Sequence, residues 1–220
     1  LRVINQRDSE TDSTVGWIGL SSPGLARPDG RSIQCIQGRL DCVQDLDWTH
    51  ELEQRGLSHR VWVLNDAHAA TMGEAWLGAA KGARNVVLLT LGTGVGGGLI
   101  IDGRLVQGRL GRAGHLGHIS LDIDGKLDIV NTPGSLEDIV GDCTIEQRTG
   151  GRFTSTRDLV DAANGGDAEA RQVWDRTLRA LVWIASLATV AWLAADGLSY
   201  YLSPLVERPR HPAYWTLKPG

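Results

Sequence analysis

Cysteine is scarce in this chain, and its few copies follow no metal-binding or disulfide pattern. The 220 residues contain three, Cys35, Cys42 and Cys143, whereas disulfide-held secreted domains use more of them, in even numbers. The first residues also lack the basic-then-apolar order of a signal peptide. These absences exclude a disulfide framework, and we expect reduced thiols in a cytoplasmic protein.

Positive charge is also in deficit, and the uncharged apolar segments are short. The 22 Lys and Arg residues are outnumbered by 26 Asp and Glu residues, which gives a net charge of −4. Proteins that bind nucleic acid usually carry a basic surface, so we expect no nucleic-acid partner. The uncharged segment at residues 180–195 is shorter than the roughly 18 residues that a membrane span needs, so we expect no membrane partner.

Glycine, in contrast, is plentiful and is concentrated in residues 86–105. Glycines at positions 92, 94, 96, 97 and 98 follow an apolar run at Val86–Leu91, which predicts a strand buried on both faces. Asp102-Gly103 is a strong hairpin signal, so we predict three strands joined by two turns. Uncovered amides in such a glycine turn bind phosphate oxygens well. These residues alone leave a second interpretation open, a glycine-rich hairpin without a ligand.

Two common nucleotide-binding motifs are excluded by the surroundings of these glycines. G-x-G-x-x-G occurs at Gly92, Gly94 and Gly97, but the dinucleotide fingerprint requires a helix directly after the glycines, whereas strands are predicted here. The P-loop pattern G-x-x-x-x-G-K-[ST] does not occur. Any phosphate site in this stretch is therefore of another kind.

A polar pair, Asn65 and Asp66, follows a strand predicted at Arg60–Leu64 and precedes a helix predicted at Ala67–Lys81. Open α/β sheets present ligand-binding groups in this order. Asp66 is a candidate general base for a substrate hydroxyl that attacks a phosphoryl group. The alternative that these residues leave open is that one of the pair only caps the helix.

His115 and His118 form H-x-x-H within a glycine-dense stretch. The spacing suits two metal ligands on a helix, but the glycines predict a loop without an obvious third ligand, so hydrogen bonds to a polyol are favoured over zinc. Glu137 follows Ser135, the predicted N-cap of a helix that begins at Leu136. Its carboxylate either accepts hydrogen bonds from sugar hydroxyls or complements the helix dipole.

The other predicted elements mix strands with helices. Strands are predicted at Val15–Ser21 and Ile119–Asp122. Helices are predicted at Trp48–Arg55, at Thr154–Ala163 and from Asp167 to near Asp196.

Five short motifs stand in a specific order along residues 15–138. They are Ser-Ser-Pro-Gly, Leu-Asn-Asp-Ala, Leu-Gly-Thr-Gly-Val-Gly-Gly-Gly, Ala-Gly-His-Leu-Gly-His and Thr-Pro-Gly-Ser-Leu-Glu-Asp. In this order they resemble the ROK family of sugar kinases and sugar-responsive repressors. The resemblance implies an α/β fold of the actin-like ATPase (ribonuclease H-like) class, with two lobes and a cleft for ATP and sugar. Residues 1–84 would form an incomplete N-terminal lobe, and residues 85–220 a C-terminal lobe with the phosphate loop and a long interlobe helix.

The resemblance also implies roles for individual residues. Asp66 matches the catalytic base, and the sugar-binding positions fall on Gly24, Asn65, His115, His118 and Glu137. The phosphate-binding positions fall on Gly92, Thr93, Gly94 and Gly96. The implied activity is that of an ATP-dependent, glucokinase-like hexose kinase, with a small-molecule sugar as partner and Mg²⁺ accompanying the nucleotide. A homodimer is compatible with this interpretation.

The chain departs from the family pattern at several positions. His115 stands where the family usually has Glu, and a neutral imidazole accepts one hydrogen bond where a carboxylate accepts several. The family's cysteine cluster is replaced by Ile129 to Gly134, so we expect no structural zinc. No Asp-x-Gly-Gly-Thr motif occurs, and the long helix leads to Asp-Gly-Leu-Ser-Tyr-Tyr at residues 196–201 instead of the family's strand and Gly-Gly turn. Both ends of the nucleotide site therefore look truncated, as in a fragment or a degraded paralogue. The alternative function is therefore a non-catalytic sugar-binding ROK protein, either a regulator or a dead kinase.

Overall fold

The computed structural model describes residues 16–36, 40–57 and 59–202. The strands are β1 (Trp17–Ser22), β2 (Leu25–Ala26), β3 (Ile33–Cys35), β4 (Arg60–Asn65), β5 (Val86–Leu91), β6 (Val95–Ile101) and β7 (Arg104–Leu105). The helices are α1 (Trp48–Glu53), α2 (Asp66–Leu77), α3 (Leu136–Val140), α4 (Ile145–Arg148), α5 (Thr156–Asn164) and α6 (Ala168–Leu202). The described residues up to Thr177 form one compact unit, and those from Leu178 onward form a second.

Strands β1 and β4 pair in parallel, with Trp17 opposite Arg60 and Ser22 opposite Asn65. The strand predicted at the start of the chain is confirmed over this range, although Val15 lies outside the described residues. Buried side chains of β2, β3 and β4 pack into one apolar cluster beside this pair, made by Ala26, Ile33, Val61 and Val63. The pairing places the carboxyl ends of both strands at the same edge, next to the start of α2.

Strands β5, β6 and β7 form an antiparallel sheet, as the glycine pattern predicts. Asp102 and Gly103 both have positive φ, 52° and 76°, which is the backbone of a type I′ hairpin turn. The expectation that β5 is buried on both faces is wrong, because Val87 is 46% exposed and Leu91 is 55% exposed. One face of the sheet packs on α2, and both side chains point from the other face. On that other face a loop covers only the middle of the sheet, at Gly97.

The segment after the sheet is mostly loop and short helix. The strand predicted at Ile119–Asp122 is wrong, since only an isolated bridge between Ser120 and Ser135 forms there. Helix α3 begins at Leu136 as predicted, and α4, α5 and the first turn of α6 enclose a small core of Ile145, Leu159, Ala163 and Ala170. Among the described residues, no helix combines the length and the hydrophobicity required to cross a bilayer.

Candidate active site

The start of α2 carries the predicted catalytic pair. Asn65 is the N-cap, and its Oδ1 accepts from the N–H groups of Ala67 (3.0 Å) and His68 (3.3 Å). Asp66 is exposed, and its Oδ1 accepts from Ala67 N–H (2.8 Å) and from Asn65 Nδ2 (2.9 Å). Within the described part of the chain its second oxygen, Oδ2, makes no hydrogen bond. The capping interpretation is therefore confirmed for Asn65, while Asp66 keeps an oxygen available to a substrate.

Gly24, which the sequence also predicts as a site residue, lies beside this helix start. Its carbonyl oxygen accepts a hydrogen bond from Asn65 Nδ2 at 2.9 Å. The glycine has a φ of +91°, and a Cβ there would meet the Cys35 carbonyl. Because a side chain would be both strained and blocked, this position is confined to glycine. The Ser-Ser-Pro-Gly turn is thereby fixed against Asn65.

The turn between β5 and β6 is held by its carbonyl groups. The oxygens of Gly92 and Thr93 accept from the N–H groups of Asp142 (3.0 Å) and Cys143 (2.8 Å). In the described ranges, the N–H groups of Thr93 and Gly94 make no hydrogen bond. Two consecutive donors therefore remain for an anion, which is the arrangement that binds a phosphate oxygen.

Gly96 and Gly98 lie within β6 and pack against α2. A Cβ on Gly96 would lie 2.9 Å from the Cβ of Ala67, and one on Gly98 would strike the side chain of Thr71. Close packing thus explains glycine at both positions, and the assignment of Gly96 to phosphate binding stays a prediction. Since Ala67 directly follows Asp66, the contact also brings the start of α2 against the strand that leaves the glycine turn.

Glu137 reaches from the first turn of α3 to the same turn. Its Oε2 accepts a hydrogen bond from Val95 N–H at 2.9 Å, and a Cβ on Gly94 would collide with this carboxylate. Ser135 caps α3 as predicted, by accepting from Asp138 N–H at 3.3 Å. The predicted sugar-binding acid is therefore in direct contact with the predicted phosphate loop.

The loop at residues 113–118 runs along β6, main chain against main chain. A Cβ on Gly114 would lie 2.9 Å from Gly98 Cα, and one on Gly117 would strike the carbonyl oxygen of Val95. Such close approach is open only to glycine. It places His115 and His118 beside the start of β6.

His115 lies against a buried histidine, His68, that the sequence did not single out. Their ring centroids are 5.6 Å apart in an edge-on arrangement, and His68 Nε2 donates to the Ala113 carbonyl at 2.8 Å. Burial lowers the pKa of His115 below its usual 6.5, the His68 and His118 rings add to this effect, and Asp66 opposes it. The imidazole is therefore neutral at neutral pH and lies within the electrostatic reach of Asp66. Within the described residues its Nε2 is buried without a partner.

His118 is held by a second residue that the sequence reasoning missed, Asp128. Its Nδ1 lies 2.8 Å from Asp128 Oδ2, and the Asp128 side chain is fully buried (0% exposed). This contact engages Nδ1 and leaves Nε2 as the second nitrogen of the ring. In the ranges that the structure describes, no three His, Cys, Asp or Glu side chains are arranged to hold a metal. The ten-residue spacing between the pair carries no recognised signal.

Sequence comparisons identify related proteins over most of this chain. The sequence profile of the ROK family matches residues 2–193. The glucokinase of Thermotoga maritima is 32% identical over 183 residues, which are 75% of this chain and 57% of that protein. An N-acetylmannosamine kinase of Vibrio cholerae is 32% identical over 163 residues, 73% of this chain and 55% of that protein. The chain thus spans a little more than half the length of these relatives.

Solved structures share the same fold. The ROK hexokinase of Thermus thermophilus superposes with a TM-score of 0.72 at 28% identity, covering 86% of this chain and 63% of that one. A Streptomyces griseus ROK glucokinase in complex with glucose and AMPPNP gives 0.62 at 26% identity (84% and 68% covered). A ROK transcriptional regulator, described as a homologue of the Escherichia coli MLC protein, gives 0.64 at 28% identity (82% and 50% covered).

The fold is accordingly the actin-like ATPase fold of ROK sugar kinases, present here in part. The ordered motifs, the profile match over residues 2–193 and the shared architecture agree. The chain belongs to the ROK family.

Proposed function

We propose that this chain acts in ATP-dependent phosphorylation of a hexose, as a glucokinase-like member of its family. The observation that carries the proposal is the contact between Ala67 and Gly96. It joins the helix that starts at Asp66 to the strand that leaves the glycine turn. A general base and a phosphate-binding loop are thereby held on neighbouring elements, as in-line phosphoryl transfer requires.

Asp66 is the proposed general base. A sugar hydroxyl oxygen forms a bond to the γ-phosphorus of ATP, the bond from that phosphorus to the β,γ-bridging oxygen breaks, and Asp66 Oδ2 takes the hydroxyl proton. The open N–H groups of Thr93 and Gly94 would bind phosphate oxygens. Mg²⁺ accompanying the nucleotide would neutralise part of the phosphate charge.

The sugar side of the proposed site combines one carboxylate, one amide and two imidazoles. The amide of Asn65 is already engaged within the chain, with its nitrogen bonded to Gly24 and Asp66 and its oxygen to the α2 cap. Its proposed role is to hold those groups beside the sugar, whereas Glu137, His115 and His118 offer acceptors. The buried, unpartnered Nε2 of His115 is the strongest support for a ligand there, because buried polar atoms rarely stay unpaired. An imidazole in place of a carboxylate points to a different pattern of hydroxyl recognition from that of family members with Glu.

A coupled assay of ATP consumption over a panel of hexoses and N-acetylhexosamines tests the proposal. We expect turnover with one sugar class, and a loss of about 10²- to 10⁴-fold in kcat for Asp66→Asn, the usual contribution of a general base. Asp161→Asn is the matched control, since Asp161 is likewise an exposed acid on a helix and lies outside the proposed site. Equal turnover by Asp66→Asn and wild type would remove Asp66 from its role.

A non-catalytic sugar-binding role is the second candidate, favoured by the likeness to the MLC-type regulator. It predicts a sugar-dependent rise in melting temperature without ATP consumption. A purely structural role predicts neither.

The kinase proposal also includes a division into lobes at residues 1–84 and 85–220 and a homodimer. Limited proteolysis tests the lobe boundary, and sedimentation analysis tests the dimer.

A further inference from the structure

His118 and Asp128 form a hydrogen-bonded pair that resembles the carboxylate–imidazole pairs of orienting networks. His118 Nδ1 and Asp128 Oδ2 are 2.8 Å apart. The imidazole keeps 26% of its side-chain surface exposed, whereas the carboxylate is completely buried. A fully buried carboxylate needs hydrogen-bond donors on its oxygens, and the His118 ring supplies one of them.

Asp128 is held from its other side by the main chain. Its Oδ1 accepts from the N–H groups of Val130 (2.9 Å) and Thr132 (2.8 Å). Burial by itself would raise the pKa of Asp128, but the hydrogen bonds from Thr132, His118, Val130 and Ser135 outweigh it and lower the pKa. The group is therefore an ionised acceptor that cannot donate a proton to His118 at neutral pH.

The Asp128 carboxylate, which faces Nδ1, determines which nitrogen of the neutral imidazole carries the hydrogen. Nδ1 must carry it to donate to Asp128, so Nε2 has only its lone pair. We propose that Asp128 is a positioning residue that locks His118 in the Nδ1–H tautomer and thereby presents Nε2 as a hydrogen-bond acceptor to a sugar hydroxyl. The sugar part of this inference rests on the proposed function, whereas the tautomer does not.

The substitution Asp128→Asn reverses the tautomer with little change in shape. Two N–H groups, of Val130 and Thr132, point at Oδ1, so the amide oxygen must stay on that side and the NH₂ group must face His118. His118 Nδ1 then has to accept, and the hydrogen moves to Nε2. Asp128→Ala is a poorer test, because it also removes the acceptor that holds the loop.

Nitrogen-15 NMR of the full chain with labelled histidine measures the tautomer directly. We expect the Nδ1–H form of His118 in the wild type and the Nε2–H form in Asp128→Asn. His118→Gln assigns the signal, and Asp138→Asn is the matched control, because it removes a nearby acid without a hydrogen bond to the ring. An Nε2–H form in the wild type, or an unchanged tautomer in Asp128→Asn, would overturn the inference.

Calorimetry with the sugar that binds the wild type then tests the consequence. We expect Asp128→Asn to weaken sugar binding about tenfold, because Nε2 can no longer accept the hydroxyl hydrogen. Unchanged affinity despite a reversed tautomer would overturn the link to sugar recognition. If the wild type binds no sugar while the tautomer behaves as expected, the proposed function fails and Asp128 still positions His118.

Discussion

Helices α2 and α3 begin alike in sequence, yet they place their acids differently. Each starts at a polar N-cap, Asn65 or Ser135, followed within two residues by an acid. At α2 the acid, Asp66, is exposed with one oxygen available. At α3 the acid, Glu137, extends across to Val95 N–H in the glycine turn. The same local signal therefore produces an exposed carboxylate at one helix and a carboxylate that holds a loop at the other.

The difference follows from what surrounds each helix start. Asn65 carries the capping bonds of α2 and also holds Gly24 through its amide nitrogen. One residue therefore caps α2 and also fixes the turn at Gly24. At α3 the neighbouring turn comes so close that a Cβ at position 94 would collide with the Glu137 carboxylate. That carboxylate accepts from Val95 N–H, which would otherwise bond to water. Three predictions test this difference between the starts of α2 and α3 and the residues around them.

The largest expected effect concerns the contact between the glycine turn and Glu137. In Gly94→Ala the new Cβ strikes the Glu137 carboxylate, and the end of this flexible side chain must swing away from Val95 N–H. We expect a loss of about 1.5–3 kcal/mol in the free energy of unfolding, the usual contribution of a hydrogen bond to a charged group. Gly92→Ala is the matched control, because its Cβ meets nothing within 4 Å. Urea unfolding measures both. Equal losses in the two variants would show that Glu137 does not brace the turn.

A smaller effect is expected at the α2 cap. Asn65→Ala removes two capping bonds and the bond to Gly24, so we expect about 1–2 kcal/mol of destabilisation, near the upper range for a cap. It should also weaken sugar binding. Ser155→Ala, at the half-buried cap of α5, should cost about 0.5–1 kcal/mol and leave sugar affinity unchanged. Thermal denaturation with and without sugar separates the two effects. Loss of affinity in both variants would contradict a specific role for Asn65.

The smallest effect is a pH dependence that comes from His115. Its folded-state pKa lies below 6.5, so the unfolded chain binds more protons between the two values. Stability is therefore complete above about pH 6.5 and falls as the pH is lowered through that value toward the folded-state pKa. His115→Gln should show a shallower decline in urea unfolding between neutral and mildly acidic pH. His50→Gln, at an exposed histidine on α1, is the control, and an equal change in both variants would contradict the assignment.

Local signals in the sequence were sufficient for much of the fold. The Asp102-Gly103 turn, the Ser135 cap and the strand before Asn65 depend on neighbouring residues, and each was predicted. The strand expected at Ile119–Asp122 failed, because its apolar residues alternate as in a strand but find a partner only at Ser120. An alternating apolar pattern shows that a segment favours the extended conformation, but a strand also needs a neighbouring strand along its length.

The sequence identified most of the candidate site residues but not the contacts that join them. Glu137 was identified, but its bond to Val95 joins positions 42 residues apart, and no spacing rule anticipates that. Asp128 was missed because a single acid in a loop resembles any solvated residue. His68 received no site role, because a histidine within a predicted helix carries no sign of burial. Each omission concerns a residue whose importance arises only from tertiary contact.

The main-chain contact between the 113–118 loop and β6 has a consequence for how the family diversifies. Gly114 and Gly117 fix the loop through backbone atoms, so its path does not depend on the side chains at positions 115 and 118. Those side chains can therefore be exchanged without changing these backbone contacts, so substitutions at positions 115 and 118 can accumulate one at a time on an unchanged loop.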